Sequence, residues 1–232
     1  MRLTLTSRAL GDVLAVQCAG RIVAGRESEI LQQHLKQAIP ETPDIVLTLD
    51  KVEFIDSSGL GALVRLAVNA RAAGGDIKLC ALPPPILNIL RITNLGRVFE
   101  TYESESDAVA ASYQRNSHAG AAAAQSRKTV LCVEESADLL AYLSEVLRGA
   151  GLRPVGGRTL PDAIVLCKAT KPDAVILGPG VPPCSGKSAR ERLAEIAPAV
   201  PIVALDEDFS LLDAGEAGTR MLAKLRGAIA NV

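Results

Sequence analysis

Tryptophan is absent from the 232 residues, and only three Phe and three Tyr are present. So few rings exclude the stacking platforms on which single-stranded nucleic acids are held. The 25 basic and 26 acidic side chains leave a net charge of −1, which excludes a face built to neutralise phosphates. Neither half is polarised: 11 basic and 13 acidic residues lie at or before Ser112, and 14 and 13 after it. No apolar run approaches the roughly 18–20 residues of a membrane span. Leu14-Ala15-Val16-Gln17-Cys18 has the outline of a lipoprotein cleavage site, but Gln17 stands where a small residue belongs and Asp12 interrupts the apolar run. A signal peptide needs a longer apolar core, so the expected location is the cytoplasm. His34 and His118 are the two histidines, too few and too far apart to assemble a triad or a metal cluster. The five cysteines, Cys18, Cys80, Cys132, Cys167 and Cys184, include no C-x-x-C pair and read as small apolar core residues in a reducing compartment. No cofactor is implied.

What is there is aliphatic: 48% of the residues are hydrophobic and the mean hydropathy is +0.23. At roughly 100–150 residues per domain, the length predicts two small domains. The stretch from Gln114 to Arg127, QRNSHAGAAAAQSR, has no apolar periodicity and reads as a linker in which the four alanines can form a helical turn. The expected division is 1–112, an Ala-rich linker over 113–127, and 128–232.

The first part alternates strands and helices. Leu3 and Leu5 alternate with polar neighbours, Gly11-Asp12 supplies a turn, and Val13 to Ala19 forms a second strand. A helix from Glu27 to Ile39 is stopped by Pro40. Ile45 to Leu49 is a buried strand, with a turn expected from Asp50. A helix from about Ser58 to Ala73 ends at Gly74-Gly75, and Ile77 to Ala81 is the next strand. A short helix entered through Pro83-Pro84-Pro85, the segment Val98–Tyr102 and a helix from about Asp107 complete the unit. In the second part Thr129–Val133, a strand near Val155, Ala174–Leu177 and Pro201–Leu205 alternate with helices, which predicts a parallel sheet covered on both faces. The pattern degrades over Asp206 to Gly215 before a terminal helix from Glu216 to Ala230.

The most informative stretch is Val52-Glu53-Phe54-Ile55-Asp56-Ser57-Ser58-Gly59-Leu60-Gly61. Asp56, Ser57 and Ser58 stand where an extended segment enters a helix, the place of N-cap residues. Such a cap can also be a phosphorylation site, because its hydroxyls are exposed and its neighbours are small. A phosphate there adds a charge of about −1.5 to −2 at the positive end of the helix dipole, beside the carboxylate of Asp56.

Phe54-Ile55-Asp56-Ser57-Ser58-Gly59-Leu60-Gly61-Ala62-Leu63 closely resembles the signature of STAS domains, the family of bacterial anti-sigma factor antagonists. The resemblance extends over roughly residues 1–112 and takes in Ile45 to Asp50, Gly75-Asp76-Ile77-Lys78-Leu79 and Ile92-Thr93-Asn94-Leu95. It implies a mixed sheet with helices and no enzymatic activity. It also implies phosphorylation of Ser57 by an ATPase-type anti-sigma factor serine kinase. The unmodified chain would capture that kinase, freeing a sigma factor, and the phosphorylated chain would release it; Asp56, Ser57, Ser58, Gly59, Leu60 and Gly61 form the implied contact patch. Gly20-Arg21-Ile22-Val23 departs from the family, which often places an Asp shortly after this glycine. Val23 stands in its place, so the family's standard partner contacts are not implied at this loop.

The second part resembles a response-regulator receiver, a flavodoxin-like doubly wound sheet, here truncated or degenerate at its end. Receivers hold Mg²⁺ with an acidic pair after the first strand and an acceptor Asp after the third. Glu134 and Glu135 keep the pair and are weak candidate ligands, but Gly178 stands at the acceptor position, and Asp206 replaces the usual hydroxyl residue. Lys224 is a candidate for the receiver lysine. Without an acceptor there is no phosphoryl transfer, so the resemblance implies a pseudo-receiver. Gly180-Val181-Pro182-Pro183-Cys184-Ser185-Gly186-Lys187-Ser188 approaches a P-loop, but five residues separate the glycines where four are required, and two prolines remove backbone donors. Two functions are expected to compete: a phosphorylation-switched antagonist, and a scaffold or sensor component that assembles with other STAS proteins.

Overall fold

A computed structural model describes residues 2–119, 127–182, 187–206, 209 and 214–230. The chain divides into two compact units, Met1–Ser112 and Tyr113–Val232.

The first unit opens with a hairpin. β1 (Thr4–Leu10) pairs antiparallel with β2 (Val13–Ile22) across Gly11, whose φ of 59° suits the turn. α1 (Arg26–Ala38) leads to β3 (Asp44–Ile55), α2 (Ser57–Ala72), β4 (Asp76–Cys80), α3 (Pro84–Ile92), β5 (Thr101–Tyr102) and α4 (Glu105–Ala119). The sheet order is β1-β2-β3-β4-β5, with β2 to β5 parallel, so the sheet is mixed. Leu31 and Leu35 of α1 and Leu60, Leu63, Leu66, Ala67 and Ala70 of α2 are buried in one cluster with Val16, Ile45, Leu47, Leu49, Ile77 and Leu79 of the sheet.

Asp50 does not begin a turn. β3 continues through it to Ile55 by means of two register shifts against β2, between Gln17 and Ala19 and between Gly20 and Arg21. Each places an extra residue on β3, so the polar Asp50-Lys51 pair is accommodated in a bulge rather than ending the strand. Gln17 Nε2 donates to Asp50 Oδ1 there. The second shift sets Arg21 opposite Phe54 and Ile22 opposite Ile55, leaving Phe54 exposed and Ile55 buried.

The helix expected from Asp107 begins at Glu105 and continues to Ala119, seven residues into the stretch read as a linker; the four alanines lie outside the described residues.

In the second unit β6 (Thr129–Val133), α5 (Ala137–Gly149), β7 (Arg153–Gly157), α6 (Leu160–Thr170), β8 (Ala174–Leu177), α7 (Ala189–Ile196), β9 (Ile202–Ala204) and α8 (Ala214–Ala230) follow in turn. The four described strands are parallel in the order β7-β6-β8-β9. α5 and α8 pack on β6–β9 from one side, while α6 packs on β6 and β7 and against α7. Val130, Cys132, Ile176, Leu143, Leu147, Met221 and Leu225 share one buried cluster. Ser136 caps α5, Thr159 caps α6, and Ser188 caps α7 in a reciprocal box with Glu191. Lys187 pairs with Glu195. The last residue of the P-loop-like string thus caps α7 and the one before it pairs with the last turn of that helix, and Pro183 to Gly186 lie outside the described residues.

Cys18, Cys80, Cys132 and Cys167 are buried free thiols. Burial pushes Cys18 and Cys132 up to about 12 and Cys80 up to about 11, which suits core residues rather than nucleophiles. Cys184 lies outside the described residues. No helix among the described residues is long and apolar enough to cross a membrane.

Candidate functional site

The parallel pairing of β2 with β3 brings both strands to an end side by side, and α2 starts at that edge. Asp56 has extended backbone angles and caps the helix: its Oδ1 accepts from Gly59 N at 2.8 Å. Its Oδ2 reaches the other way and accepts from Ala24 N at 2.9 Å, while its own N–H donates to Ile22 O at 3.2 Å. One carboxylate therefore ties the β2–α1 loop to the first turn of α2. Those N–H groups, Ala24 first and Gly59 next, hold the Asp56 carboxyl below its ordinary value of 3.8, and Arg21 lowers it further through its charge.

Gly59 is fixed by its surroundings. A Cβ there would lie 2.2 Å from Ile22 O and 2.9 Å from Ile22 C, so the first turn of α2 rests on the backbone of β2 at a distance only glycine permits. Leu60 behind it is buried, Gly61 is half-buried, and Ser57 and Ser58 are exposed. The residues singled out from Asp56 to Gly61 thus form one patch in which the two hydroxyls face solvent and the apolar side chain faces the core. Such an arrangement can offer a hydroxyl to another protein's active site.

Sequence reasoning missed two contributors. Ala24 acts only through its backbone N–H, which no side-chain pattern reveals. The Arg21 guanidinium lies over the Phe54 ring, 5.3 Å from its centroid, a pairing created by the second bulge of β3. A strict alternation count would have put Arg21 opposite a different residue.

His34 meets Ser7, with Nε2 and Oγ 2.5 Å apart; the pair has no third partner among the described residues to orient it and sits on α1 and β1.

In the second unit the acidic pair is split. Glu134 is 3% exposed and Glu135 exposed, so the two carboxylates do not face one solvent-filled site. Glu134 Oε1 accepts from Ser136 N at 2.8 Å, and Oε2 is buried without a hydrogen-bond partner among the described residues. A Cβ on Gly178 would lie 1.7 Å from that Oε2: the Glu134 side chain occupies the space an acceptor side chain would need. Lys224 donates to Asp206 Oδ2 at 3.0 Å. The structure brings these two together, but among the described residues no group of three His, Cys, Asp or Glu side chains is placed to hold a metal ion.

Comparison with known proteins bears on the first unit. The STAS domain model matches residues 5–108. An anti-sigma F factor antagonist of Paenibacillus polymyxa is 28% identical over 99 residues, 42% of this chain and 84% of the relative. A STAS-domain containing protein of Pseudomonas aeruginosa is 31% identical over 101 residues, 43% of this chain and 98% of the relative. The crystal structure of an anti-sigma factor antagonist from Mycobacterium paratuberculosis is 24% identical, covers 48% of this chain and 94% of its own, and superposes with a TM-score of 0.43. Through the unit that carries the Asp56-Ser57-Ser58 cap, the chain belongs to the STAS-domain family.

Proposed function

We propose that this protein is an anti-sigma factor antagonist whose binding to an ATPase-type anti-sigma factor serine kinase is switched by phosphorylation of Ser57. The observation that carries the reading is the exposed Ser57 hydroxyl directly after a capping Asp56 that is pinned from both sides. The name of the Paenibacillus polymyxa relative supports it. The kinase supplies the base that takes the Ser57 proton and the site that positions ATP; Oγ attacks the γ-phosphorus, and ADP leaves. This chain supplies only a hydroxyl in a fixed place, and needs no catalytic residue or cofactor of its own. The binding patch comprises Asp56, Ser57, Ser58, Gly59, Leu60 and Gly61. Phosphate on Ser57 sets a dianion next to the Asp56 carboxylate within that patch, where repulsion and desolvation oppose binding. The protein acts in the cytoplasm, where its kinase partner resides.

For the second unit we propose a pseudo-receiver over 128–232, joined through 113–127 to a STAS unit over 1–112. The order β7-β6-β8-β9 supports a flavodoxin-like arrangement, in which the first strand lies inside the second. The buried Glu134 against Gly178 supports the absence of an acceptor. Such a unit acts as a protein-binding face and takes no phosphate.

The test is to incubate the full chain with ATP and anti-sigma kinases of the ATPase type, then map the phosphate by mass spectrometry. Modification at Ser57, lost in Ser57→Ala and kept in Ser58→Ala, supports the reading. Binding to no such kinase, with association to other STAS proteins instead, supports a scaffold.

A further inference from the structure

Phosphate on Ser57 would find the start of α2 already engaged. Asp56 Oδ1 takes the Gly59 N donor at the start of α2, and its Oδ2 accepts from Ala24 N of the β2–α1 loop. A second anion on the next residue needs a cation instead. Arg21 fits that need on three counts. Its guanidinium carbon lies over the Phe54 ring, 5.3 Å from the centroid, where the register sets Arg21 opposite Phe54, three residues before Ser57. Arg21 makes no ion pair or hydrogen bond among the described residues. Its charge is felt at Asp56, the residue before Ser57. Arg21 is exposed, and so is Phe54 at 45%, so nothing in the fold prevents the side chain from turning about the ring.

We infer that Arg21, held on Phe54, is the internal counter-ion of phosphorylated Ser57. The inference rests on the proposed modification of Ser57 and deepens it by naming the residue that receives the phosphate. Stacking and phosphate binding use different parts of the guanidinium, the face and the in-plane fork, so the ring prepares the fork without competing for it. A lysine cannot do the same, because its ammonium has no plane to be held. The unmodified chain presents Arg21 and Phe54 to a partner as a free cation and a ring. In the modified chain the cation turns inward to the phosphate, so both the charge and the contact surface of the patch change in one step.

The test installs the phosphate without any kinase, by encoding phosphoserine at position 57 of the full, ¹⁵N-labelled chain. Side-chain N–H signals of arginine are then recorded with and without the phosphate, and those of Arg21 are assigned through Arg21→Lys. Phosphate should slow exchange of the Arg21 N–H groups with water by about tenfold, the protection one charge-assisted hydrogen bond confers, and should produce a scalar coupling between Arg21 nitrogen and phosphorus. Phe54→Leu should weaken both effects. Phosphoserine encoded at 58 serves as the positional control and should give neither. Arg21 signals unchanged by phosphate at 57, or the same protection appearing on Arg65 or Arg26, would overturn the inference. Because no kinase takes part, a negative result leaves the proposed switch standing, and a kinase that ignores Ser57 leaves this measurement intact.

Discussion

The end of β3 and the end of β8 are built alike: a parallel strand, a tight passage with a glycine, and an acidic side chain within reach. They do opposite things with the glycine. At Gly59 the missing Cβ lets α2 come down on Ile22 O, and the helix start is pushed to the surface with Ser57 and Ser58 on show. At Gly178 the missing Cβ is replaced by a carboxylate from the neighbouring strand end, and nothing chemical is left on show. The difference is whether the vacated volume is taken by backbone or by side chain. Backbone contact fixes a turn and leaves the adjoining hydroxyls exposed. A side chain folded inward fills the place where a nucleophile would stand.

The largest effect is expected where the contact is backbone on backbone. Gly59→Ala must displace α2 from β2, and should cost about 3 kcal/mol in chemical denaturation, at the upper end for overpacking. Gly178→Ala presses on a buried side chain instead and should cost less, about 1–2 kcal/mol. Glu134→Ala should remove most of that penalty, so the double variant should be more stable than the sum of the single ones, a coupling that a double-mutant cycle reads directly. If Gly59→Ala is tolerated as well as Gly178→Ala, the contrast between the two sites fails.

Acid should separate them too. The folded Asp56 carboxyl titrates below its unfolded value of 3.8 because Ala24 and Gly59 donate to it. Its contribution to stability is therefore complete above pH 3.8 and is lost as the pH falls below that value through the folded pKa. Denaturation midpoints followed downward from pH 5 should fall less steeply in Asp56→Asn than in the wild type. Smaller again is the change expected from Ser58→Ala, an exposed residue inside the first turn whose hydroxyl caps nothing; a shift within about 0.5 kcal/mol is expected, with phosphorylation at Ser57 retained.

Much of this was legible in the sequence, and the rest was hidden for definite reasons. The Asp56 cap could be read because a carboxylate and two hydroxyls before an amphipathic run have few other structural uses. The parallel order of the second sheet followed from alternating apolar runs and helices. The extension of β3 past Asp50 was hidden because a bulge uses the same polar residues as a turn, and only pairing with β2 distinguishes them. The inward fold of Glu134 was hidden for a related reason. Glutamate is almost always exposed, and only the three-dimensional approach of β6 to β8, with no Cβ on Gly178, makes room for it. Arg21 and Phe54 lie 33 positions apart, and their meeting depends on both bulges at once.

The central claim is that one phosphate on Ser57 decides partner binding. Calorimetric titration of the ATPase-type anti-sigma kinase with the full chain, unmodified and carrying phosphoserine at 57, tests it most directly. The account predicts a loss of affinity of at least about a hundredfold on phosphorylation, or about 2.7 kcal/mol, with Ser57→Asp intermediate because it adds a single charge and less bulk. Equal affinities of the unmodified and phosphorylated chains, or a comparable loss caused by phosphoserine at 58 alone, would contradict it.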